Sequence, residues 1–490
     1  MKNRHWIFII IGVITLLRLV YVNFVPLLGD EAYYWQWARH LDWGYYEQGP
    51  MVALVIWIFT FFTKISTVFT IRLGAVLLSM ATMICAYFTY KRFRPSDTDD
   101  KENLINIILI NSSLIYAIGA VLMMHDTVMV FFYALFLYNL TYVIKNPENI
   151  MHWTNAGILL GLGIMSKLTF GTVYIGVAAF LLMTGSFRKY LKGFLFFTLF
   201  AFMFTLPYIY WNFTHNFATV NYLFIRSGSN GHFTLKYFFE LLGSQAALIS
   251  PFLFLLFVPV FIRNLKKPAF NLDFAFATLF WVSITPFLIL SFKSRVEANW
   301  PAFTFLPLFF LAPAYIVSLK ARFSKSAAFG AVLLSALLTA LVFIQIVHPV
   351  INLSEKNDPL KKTYGYKELA DRVSQELAAL PPADRVFLSS RHYQMASLLA
   401  FYMKGQPEFT VLLNHESNKN YRFWADFKNL HGQNCLFVYT DQWESWRMAK
   451  LFKNRLFTKE IDVALPGISM RKYYIDYFEG LQSEKDVTAE

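Results

Sequence analysis

Long apolar stretches separated by short polar loops occupy the first 348 residues and predict a helical membrane region. A membrane-spanning helix needs about 20 mostly apolar residues. Stretches of about that length lie at residues 6–28, 70–90, 104–124, 127–144, 193–211, 236–262, 270–291, 301–319 and 327–348. The stretch 156–183 would extend roughly 42 Å as one helix, across a hydrocarbon core of about 30 Å. It therefore predicts two short helices with Lys167 at the turn, which makes about eleven spans in all.

Basic residues between the apolar stretches indicate how the chain is threaded. Residues 91–94, 188–192 and 320–325 are rich in Lys and Arg, which is typical of cytoplasmic loops. If these clusters are cytoplasmic, the number of crossings between them predicts a cytoplasmic N-terminus. The polar loops at the other ends of the helices then lie outside the cytoplasm. Only one crossing, 70–90, fits before the first cluster, so residues 51–69 are expected to form an interfacial or re-entrant helix at the outer surface.

The pattern changes at about Pro349, where the apolar runs shorten. Helix-like and strand-like segments alternate from there, which is typical of a small α/β domain. Strands are expected at 385–389, 409–413 and 435–440, and helices at 369–380, 393–403 and 421–430. We therefore expect a mainly α-helical polytopic membrane domain, residues 1–348, followed by a soluble extracytoplasmic α/β domain, residues 349–490.

Composition and charge agree with a membrane protein. Hydrophobic residues make up 56% of the chain and charged residues 15%, against about 25% charged in soluble proteins. The formal net charge of +13 comes mainly from loop clusters that act as orientation signals, so no nucleic-acid partner is expected. The apolar run 6–28 is too long for a cleaved signal peptide and predicts a retained first helix. Cys85 and Cys435 lie in unlike regions and indicate no disulfide or cysteine metal site.

The outer tips share ionisable residues from distant parts of the chain. These are Asp30, Glu31, Glu47, His125, Asp126, Lys167, Arg226, Lys293, Arg295 and Glu297. Each one alone is more often a solvated loop charge, but together they predict a chemical site. Carboxylates can accept or orient the proton of an attacking hydroxyl, and Arg or a recessed Lys can hold a phosphate. A lipid-linked sugar phosphate, with its phosphate at headgroup depth, is the candidate substrate class.

Motifs in the membrane region resemble one known family. The string Gly29-Asp30-Glu31-Ala32-Tyr33-Tyr34-Trp35, followed by Gly44-Tyr45-Tyr46-Glu47-Gln48-Gly49-Pro50, is similar to the first outer loop of bacterial GT-C glycosyltransferases. These enzymes are related to the protein O-mannosyltransferases and to the aminoarabinose transferase of lipid A. The resemblance continues at 124–126, 161–167 and 293–301, and more loosely at Arg391-His392-Tyr393-Gln394 and 421–424 in the C-terminal domain.

The resemblance implies transfer of a sugar, with inversion, from a polyprenyl-phosphate donor to an acceptor on the outer side of the bacterial inner membrane. It implies Asp30 as the catalytic carboxylate that activates the acceptor and Asp126 as a second catalytic carboxylate. The expected substrate contacts are Glu31, Glu47, His125, Lys167, Arg226, Arg295 and Glu297. The acceptor is left open between lipid A, another glycan, a lipid and a protein. At Gln48-Gly49 the chain departs from the Lys-Pro-Pro sequence of relatives, which leaves the donor sugar open.

Several alternatives stay open at this point. No cofactor is required, but Asp30, Glu31 and Asp126 carry the oxygen ligands that Mg or Mn prefers, so a divalent cation is an alternative to a metal-free site. His125 could equally serve as a helix cap, and Arg226 lies in a Gly/Ser-rich sequence that suits a substrate loop or a linker.

Two other functions compete with a glycosyltransferase. A transporter or flippase of lipid-linked sugars would place ionisable residues near the bilayer midplane and often show repeated halves, and neither pattern is evident. A receptor-like protein, whose C-terminal domain binds a ligand, is the third alternative.

Overall fold

Two compact units make up the described chain. The computed structural model describes residues 4–94, 100–226, 232–266, 268–348, 350–351, 363–381, 385–412, 418–425, 427–440, 442–465 and 468–482. The helical unit comprises Met1–Phe24, Leu41–Phe61 and Phe69–His348. The α/β unit comprises Val25–His40, Phe62–Val68 and Pro349–Glu490.

Apolar helices form the helical unit. They are α1 Arg4–Tyr21, α3 Met51–Phe59, α4 Val68–Phe93, α5 Asp100–Ser112, α6 Leu114–Gly119, α7 His125–Lys145, α8 Ile150–Ser166, α9 Thr172–Met183, α10 Leu191–Thr214, α11 Ala218–Arg226, α12 Lys236–Ile249, α13 Pro251–Leu265, α14 Leu272–Leu290, α15 Leu306–Ser318 and α16 Arg322–Val347. Short 3-10 helices at Leu168–Gly171 and Ala302–Phe305 precede α9 and α15. Aromatic and aliphatic side chains from most of these helices form one continuous buried core.

The predicted apolar stretches correspond to these helices, but several of them are interrupted. Five described helices, α4, α7, α10, α14 and α16, are at least 18 residues long and apolar enough to cross a membrane, and the number is six if α12 and α13 form one span. Shorter apolar helical segments, of 10–17 residues, lie at His5–Tyr21, Leu168–Met183 and Ala302–Ser318. A multi-pass membrane protein is confirmed, whereas the count of eleven spans stays a prediction.

Local chemistry explains where the helices break. Ser250 has a positive φ of 98° and is followed by Pro251, whose missing N–H and ring suit a first helical position. The axes of α12 and α13 consequently differ by 104°. The predicted break at Lys167 is confirmed, because this residue is extended (φ −155°, ψ 126°) between the end of α8 and the next 3-10 turn.

The α/β unit contains one five-stranded sheet. Its elements are α2 Gly29–Arg39, α17 Tyr366–Ala378, β1 Val386–Ser390, α18 Tyr393–Tyr402, β2 Phe409–Thr410, α19 Tyr421–Trp424, α20 Phe427–Leu430, β3 Asn434–Tyr439, α21 Gln442–Ala449, β4 Phe452–Leu465 and β5 Ile468–Leu481. The strand order is β2-β1-β3-β5-β4. Both β2 and β3 pair in parallel with β1, while β5 pairs antiparallel with β3 and β4.

The predicted strands and helices of the C-terminal region are present with two corrections. The strand predicted at 409–413 is two residues long, and residue 413 lies outside the described residues. The helix predicted at 421–430 is wrong as one element, because Ala425 adopts an extended conformation (ψ 114°) that ends α19. The long hairpin of β4 and β5 was not predicted.

Residues 25–40 and 62–68 pack with the C-terminal region. The sequence predicts a division at 348/349, and this division stays a prediction. The α/β unit includes these two N-terminal segments besides the residues after 348. The predicted outer segment 29–50 is therefore divided between the units at His40 and Leu41. Helix α2 packs on α18 within the α/β unit, so the two halves of the segment are described separately below.

Candidate functional site

A buried ion pair lies in the helical unit where three of the quoted motifs meet. Lys167 Nζ donates to Asp126 Oδ1 at 2.7 Å, and Asn299 Nδ2 donates to Asp126 Oδ2 at 2.9 Å. The Lys167 side chain is only 3% exposed, whereas that of Asp126 is 22% exposed. The structure thus brings together Asp126 and Lys167, as the sequence predicted for residues far apart in the chain.

Helix ends position both partners of this pair. Asp126 lies in the first turn of α7, where the positive end of the helix dipole favours a carboxylate. Lys167 follows the last residue of α8, where unpaired carbonyl groups favour a cation. The loop that carries Asn299 is held in turn by a hydrogen bond from Gln245 Nε2 to the Ala298 carbonyl, at 2.7 Å.

The Lys167 ammonium group has hydrogen-bond donors left for an anionic ligand. An ammonium group has three donors, and one of those of Lys167 is given to Asp126. Burying such a pair costs desolvation free energy that the pair itself often does not recover. A pair that keeps its carboxylate partly exposed is therefore better suited to binding a substrate than to stabilising the fold alone.

Gln48 and Gly49, where the sequence differs from that of relatives, belong to a loop that packs against the end of α8. A Cβ on Gly49 would lie 2.0 Å from the Met165 carbonyl oxygen, so no side chain fits at this position. Gln48 is buried, and its Oε1 accepts a 3.4 Å hydrogen bond from the Leu168 N–H. The loop therefore contacts the residues on both sides of Lys167.

Glu47 is placed in the same loop by α11. Tyr222 donates its hydroxyl proton to Glu47 Oε1 at 3.1 Å, and Thr219 donates to the Tyr45 carbonyl at 2.8 Å. The Tyr46 and Tyr222 rings pack with centroids 5.1 Å apart. Glu47 is half-buried, so its carboxylate is held in the helical unit with part of its surface open to a ligand.

Asp30 lies in the α/β unit, at the first turn of α2. Its Oδ1 accepts hydrogen bonds from Gln394 Nε2 at 2.7 Å and from the Tyr393 hydroxyl at 3.1 Å. Gly29 permits this contact, because a Cβ there would lie 2.8 Å from Gln394 Cβ. The carboxylate is half-buried, and its Oδ2 accepts no hydrogen bond from the residues that the structure describes.

Lys419 affects Asp30 through Tyr393, which contacts both residues. Lys419 Nζ donates to the Tyr393 hydroxyl at 2.9 Å and lies 4.0 Å from the centre of that ring. The same hydroxyl donates to Asp30, so positive charge is relayed toward the carboxylate. Burial, together with the Lys419 and Arg391 cations, lowers the pKa of His392 to about 4, although Asp30 opposes this. His392 is therefore neutral at pH 7 and caps α18.

Glu31 is fully buried and supports the helix that carries Asp30. Its Oε2 accepts a 3.1 Å hydrogen bond from the backbone N–H of Leu28, the contact that a glutamate makes at the third position of a helix. The substrate contact predicted for Glu31 stays a prediction, and its observed bond is to the backbone.

The other predicted site residues are spread along the helical unit. His125 is buried at the first position of α7. Glu297 is half-buried and Arg295 is exposed, both in the loop before Asn299. Arg226 is the last residue of α11, and its side chain lies outside the described residues. Their predicted substrate contacts stay predictions.

Four residues at these clusters were not predicted as site residues. Tyr393, Gln394 and Lys419 surround Asp30, and Asn299 binds Asp126. Three of the four lie in the motifs given above, since Tyr393-Gln394 follows Arg391-His392 and Asn299 follows Arg295-Val296-Glu297-Ala298, whereas Lys419 lies just before the motif at 421–424. What the sequence did not reveal was which carboxylate each motif would contact.

No group of three or more His, Cys, Asp or Glu side chains suited to a metal ion occurs among the described residues. The alternative with Mg or Mn is not decided by this finding.

Comparison with known proteins identifies relatives of both sequence and fold. Residues 47–211 match the family described as dolichyl-phosphate-mannose-protein mannosyltransferase. The lipid A galacturonosyltransferase RgtD of Rhizobium johnstonii is 27% identical over 307 residues, which cover 61% of this chain and 63% of the relative. The match therefore spans less than two thirds of the length of that relative. The predicted resemblance to this family is confirmed.

Solved structures of one enzyme share the fold along nearly the whole chain. The crystal structure of ArnT from Cupriavidus metallidurans bound to undecaprenyl phosphate superposes with a TM-score of 0.67 at 12% identity, covering 96% of this chain and 98% of ArnT. The apo structure of ArnT gives a TM-score of 0.64 at 13% identity, with coverage of 97% and 98%. The mainly helical GT-C fold is therefore confirmed.

Proposed function

We propose that this chain, whose residues 47–211 belong to the dolichyl-phosphate-mannose-protein mannosyltransferase family, is an integral-membrane glycosyltransferase. It transfers a hexose or pentose from a polyprenyl-phosphate donor to an acceptor outside the cytoplasm. The observation that carries the proposal is the buried Lys167–Asp126 pair with Asn299, which joins three of the family-like motifs.

The first step of the argument concerns the donor phosphate. Lys167 is buried among apolar helices, and an ionisable residue in such surroundings is by default a candidate for a functional site. A polyprenyl phosphate carries its anion beside an apolar tail, so it matches a buried ammonium lined by apolar helices. ArnT, which shares the fold, binds undecaprenyl phosphate, and this supports the same donor class here.

The second step concerns the acceptor. Asp30 presents Oδ2, while Tyr393 and Gln394 hold Oδ1. A carboxylate fixed in this way can take the proton from an attacking hydroxyl as the new glycosidic bond forms. Direct attack on the sugar carbon, with departure of the polyprenyl phosphate, inverts the anomeric configuration. Lys167, which is held in place by Asp126, would stabilise the negative charge that develops on the leaving phosphate.

The acceptor class is drawn from the relatives. RgtD acts on lipid A as a galacturonosyltransferase, which supports lipid A as the first acceptor to test. Other glycans, lipids and proteins are the remaining candidates. No resident cofactor is required by this proposal, and dependence on Mg or Mn is tested by adding a chelator to the transfer assay below.

The membrane placement follows from charge and span length. We propose about eleven spans with the N-terminus inside, the ion pair near the outer surface and the α/β unit outside the cytoplasm. The protein would then reside in the bacterial inner membrane, with its substrates arriving on the periplasmic or extracellular side.

Transfer is tested with the full-length protein reconstituted in liposomes. Lipid-linked sugars, labelled and extracted from cells that lack this chain, serve as donors, and lipid A and envelope protein serve as acceptors. We expect label to move onto an acceptor with release of polyprenyl phosphate. Movement of intact labelled lipid across the bilayer, without cleavage of its sugar bond, would instead identify a flippase and contradict the proposal.

A further inference from the structure

A cavity lined by several charged side chains lies in the helical unit, and its lining does not include Lys167 or Asp126. It has a volume of about 400 Å³ and is lined by the ends of α13 and α14, by α15, and by Arg94 just after α4. Its main lining residues are Arg94, Arg263, Lys266, Asp273, Phe274 and Tyr315. Cavities of this size suit small ligands or the head groups of larger ones.

This cavity is at the opposite ends of the helices from the ion pair. Asp273 is in the first turn of α14, whereas the loop after that helix carries Asn299, which binds Asp126. Helix α7 gives the same relation, since Asp126 begins it and Lys145, at its end, donates to the Arg92 carbonyl at 2.6 Å. Helices of this length extend about 28 Å, close to the thickness of a hydrocarbon core of about 30 Å.

The charged groups of the cavity are incompletely paired. Arg94 forms an ion pair with Asp273, which leaves Arg263 and Lys266 as uncompensated cations in the described lining. The buried Nε of Arg94 has no hydrogen-bond partner among the described residues. Three cations and one carboxylate give the lining a net charge of +2.

Arg263 is held in place as a ligand-binding group would be. Its Nη1 donates to Ser318 Oγ at 2.6 Å, and its guanidinium carbon lies 5.9 Å from the centre of the Tyr315 ring. These contacts use few of the five donors of a guanidinium group. Arg263 and Lys266 are both exposed, but their side chains line the same concavity.

The apolar part of the lining decides between ligand classes. Phe274 of α14 and Leu311, Ala314 and Tyr315 of α15 add apolar surface to the cavity lining. A free anion gains nothing from such a surface, whereas a phospholipid has a phosphate beside apolar chains. Basic pockets between membrane helices are known sites for anionic head groups.

We propose that this cavity binds the phosphate head group of an anionic phospholipid. Arg263 and Lys266 contact the phosphate, and the apolar surfaces of Phe274 and Tyr315 contact the glycerol and the first methylenes. The site is separate from the donor site and lies at the opposite membrane surface, so the proposal does not depend on the transfer reaction.

The test measures lipid binding by the full-length protein in detergent, by native mass spectrometry. The probes are dioctanoyl phosphatidylglycerol, dioctanoylglycerol, which lacks the phosphate, and inorganic phosphate as competitor. Arg263→Gln is expected to weaken binding of the phosphatidylglycerol about tenfold, since one charge-assisted hydrogen bond is lost. Arg263→Lys, which keeps the charge, should retain part of the affinity.

The matched control is Arg188→Gln. Arg188 is an exposed basic residue in the loop between α9 and α10, outside the cavity lining, and its replacement should leave the affinity unchanged. Competition by phosphate would show that the phosphate alone is recognised, and no competition would show that the acyl chains are needed as well; both support the site. Unchanged binding by Arg263→Gln, an equal loss in Arg188→Gln, or equal binding of dioctanoylglycerol would overturn the proposal.

Discussion

Replacing Asp30 by asparagine is expected to lower the rate of sugar transfer by about a hundredfold or more, since general-base catalysis contributes roughly 10²–10⁴-fold. Asparagine keeps an oxygen that can accept the hydrogen bonds of Tyr393 and Gln394, so α2 and α18 should still pack together. It cannot take the proton of the acceptor. The expected loss is therefore in kcat, measured with the reconstituted protein, with little change in thermal stability.

Two further variants separate catalysis from folding. Tyr393→Phe leaves the carboxylate but removes one hydrogen bond to it, so we expect a smaller reduction in rate than in Asp30→Asn. Glu408→Gln is the matched control, because Glu408 is a carboxylate of the same unit that pairs with Arg39 and His40. It should transfer sugar normally. A folded Asp30→Asn protein that retained the full rate would show that Asp30 is not the base.

Replacing Asp126 by asparagine is expected to cost both stability and activity. Lys167 is almost fully buried, and removing its partner leaves an uncompensated charge, at a cost of roughly 3–5 kcal/mol for fully buried pairs. Because Asp126 is partly exposed, we expect the loss of stability to be near the lower end of this range. The thermal midpoint in detergent should fall clearly, and transfer should fall with it.

The double variant Asp126→Asn with Lys167→Met separates the two effects. Removing both charges should recover much of the lost stability, as observed for other buried pairs, while transfer stays low because the phosphate has lost its cation. Asp273→Asn is the stability control, since the Arg94–Asp273 pair is about one third exposed and such pairs contribute about 0–1 kcal/mol. A stable double variant with normal transfer would mean that the pair is purely structural.

The membrane helices could be predicted from the sequence because their causes are local. A lipid environment requires about 20 apolar residues with all backbone groups paired inside the helix. Helices α4, α7 and α14 accordingly begin and end within a few residues of the predicted stretches. The break at Lys167 was also predictable, since the surrounding stretch is too long for one span.

The two N-terminal segments of the α/β unit could not be predicted in the same way. Gly29 and Gln394 are far apart in sequence, and no local pattern indicates that a Cβ on the first would collide with the second. Residues 29–50 therefore looked like one outer segment, although its first half packs with the C-terminal region. The motif at Arg391–Gln394 was visible, but its partner was not.

The hairpin of β4 and β5 was missed for a different reason. Polar and apolar residues do not alternate regularly in Phe452–Leu465, because Lys453-Asn454-Arg455 and Thr458-Lys459-Glu460 are polar runs, although a Pro466-Gly467 turn signal follows. Many of the β4 side chains are exposed, so the segment has little of the apolar density by which the buried strands β1 and β3 were identified.

The most direct measurement is the anomeric configuration of the product formed by the reconstituted protein, compared by NMR with that of the polyprenyl-phosphate donor. Activation of the acceptor by Asp30, followed by direct displacement of the phosphate, predicts one new glycosidic bond of inverted configuration for each polyprenyl phosphate released. A product of retained configuration would exclude a single direct displacement of the phosphate and would contradict this mechanism.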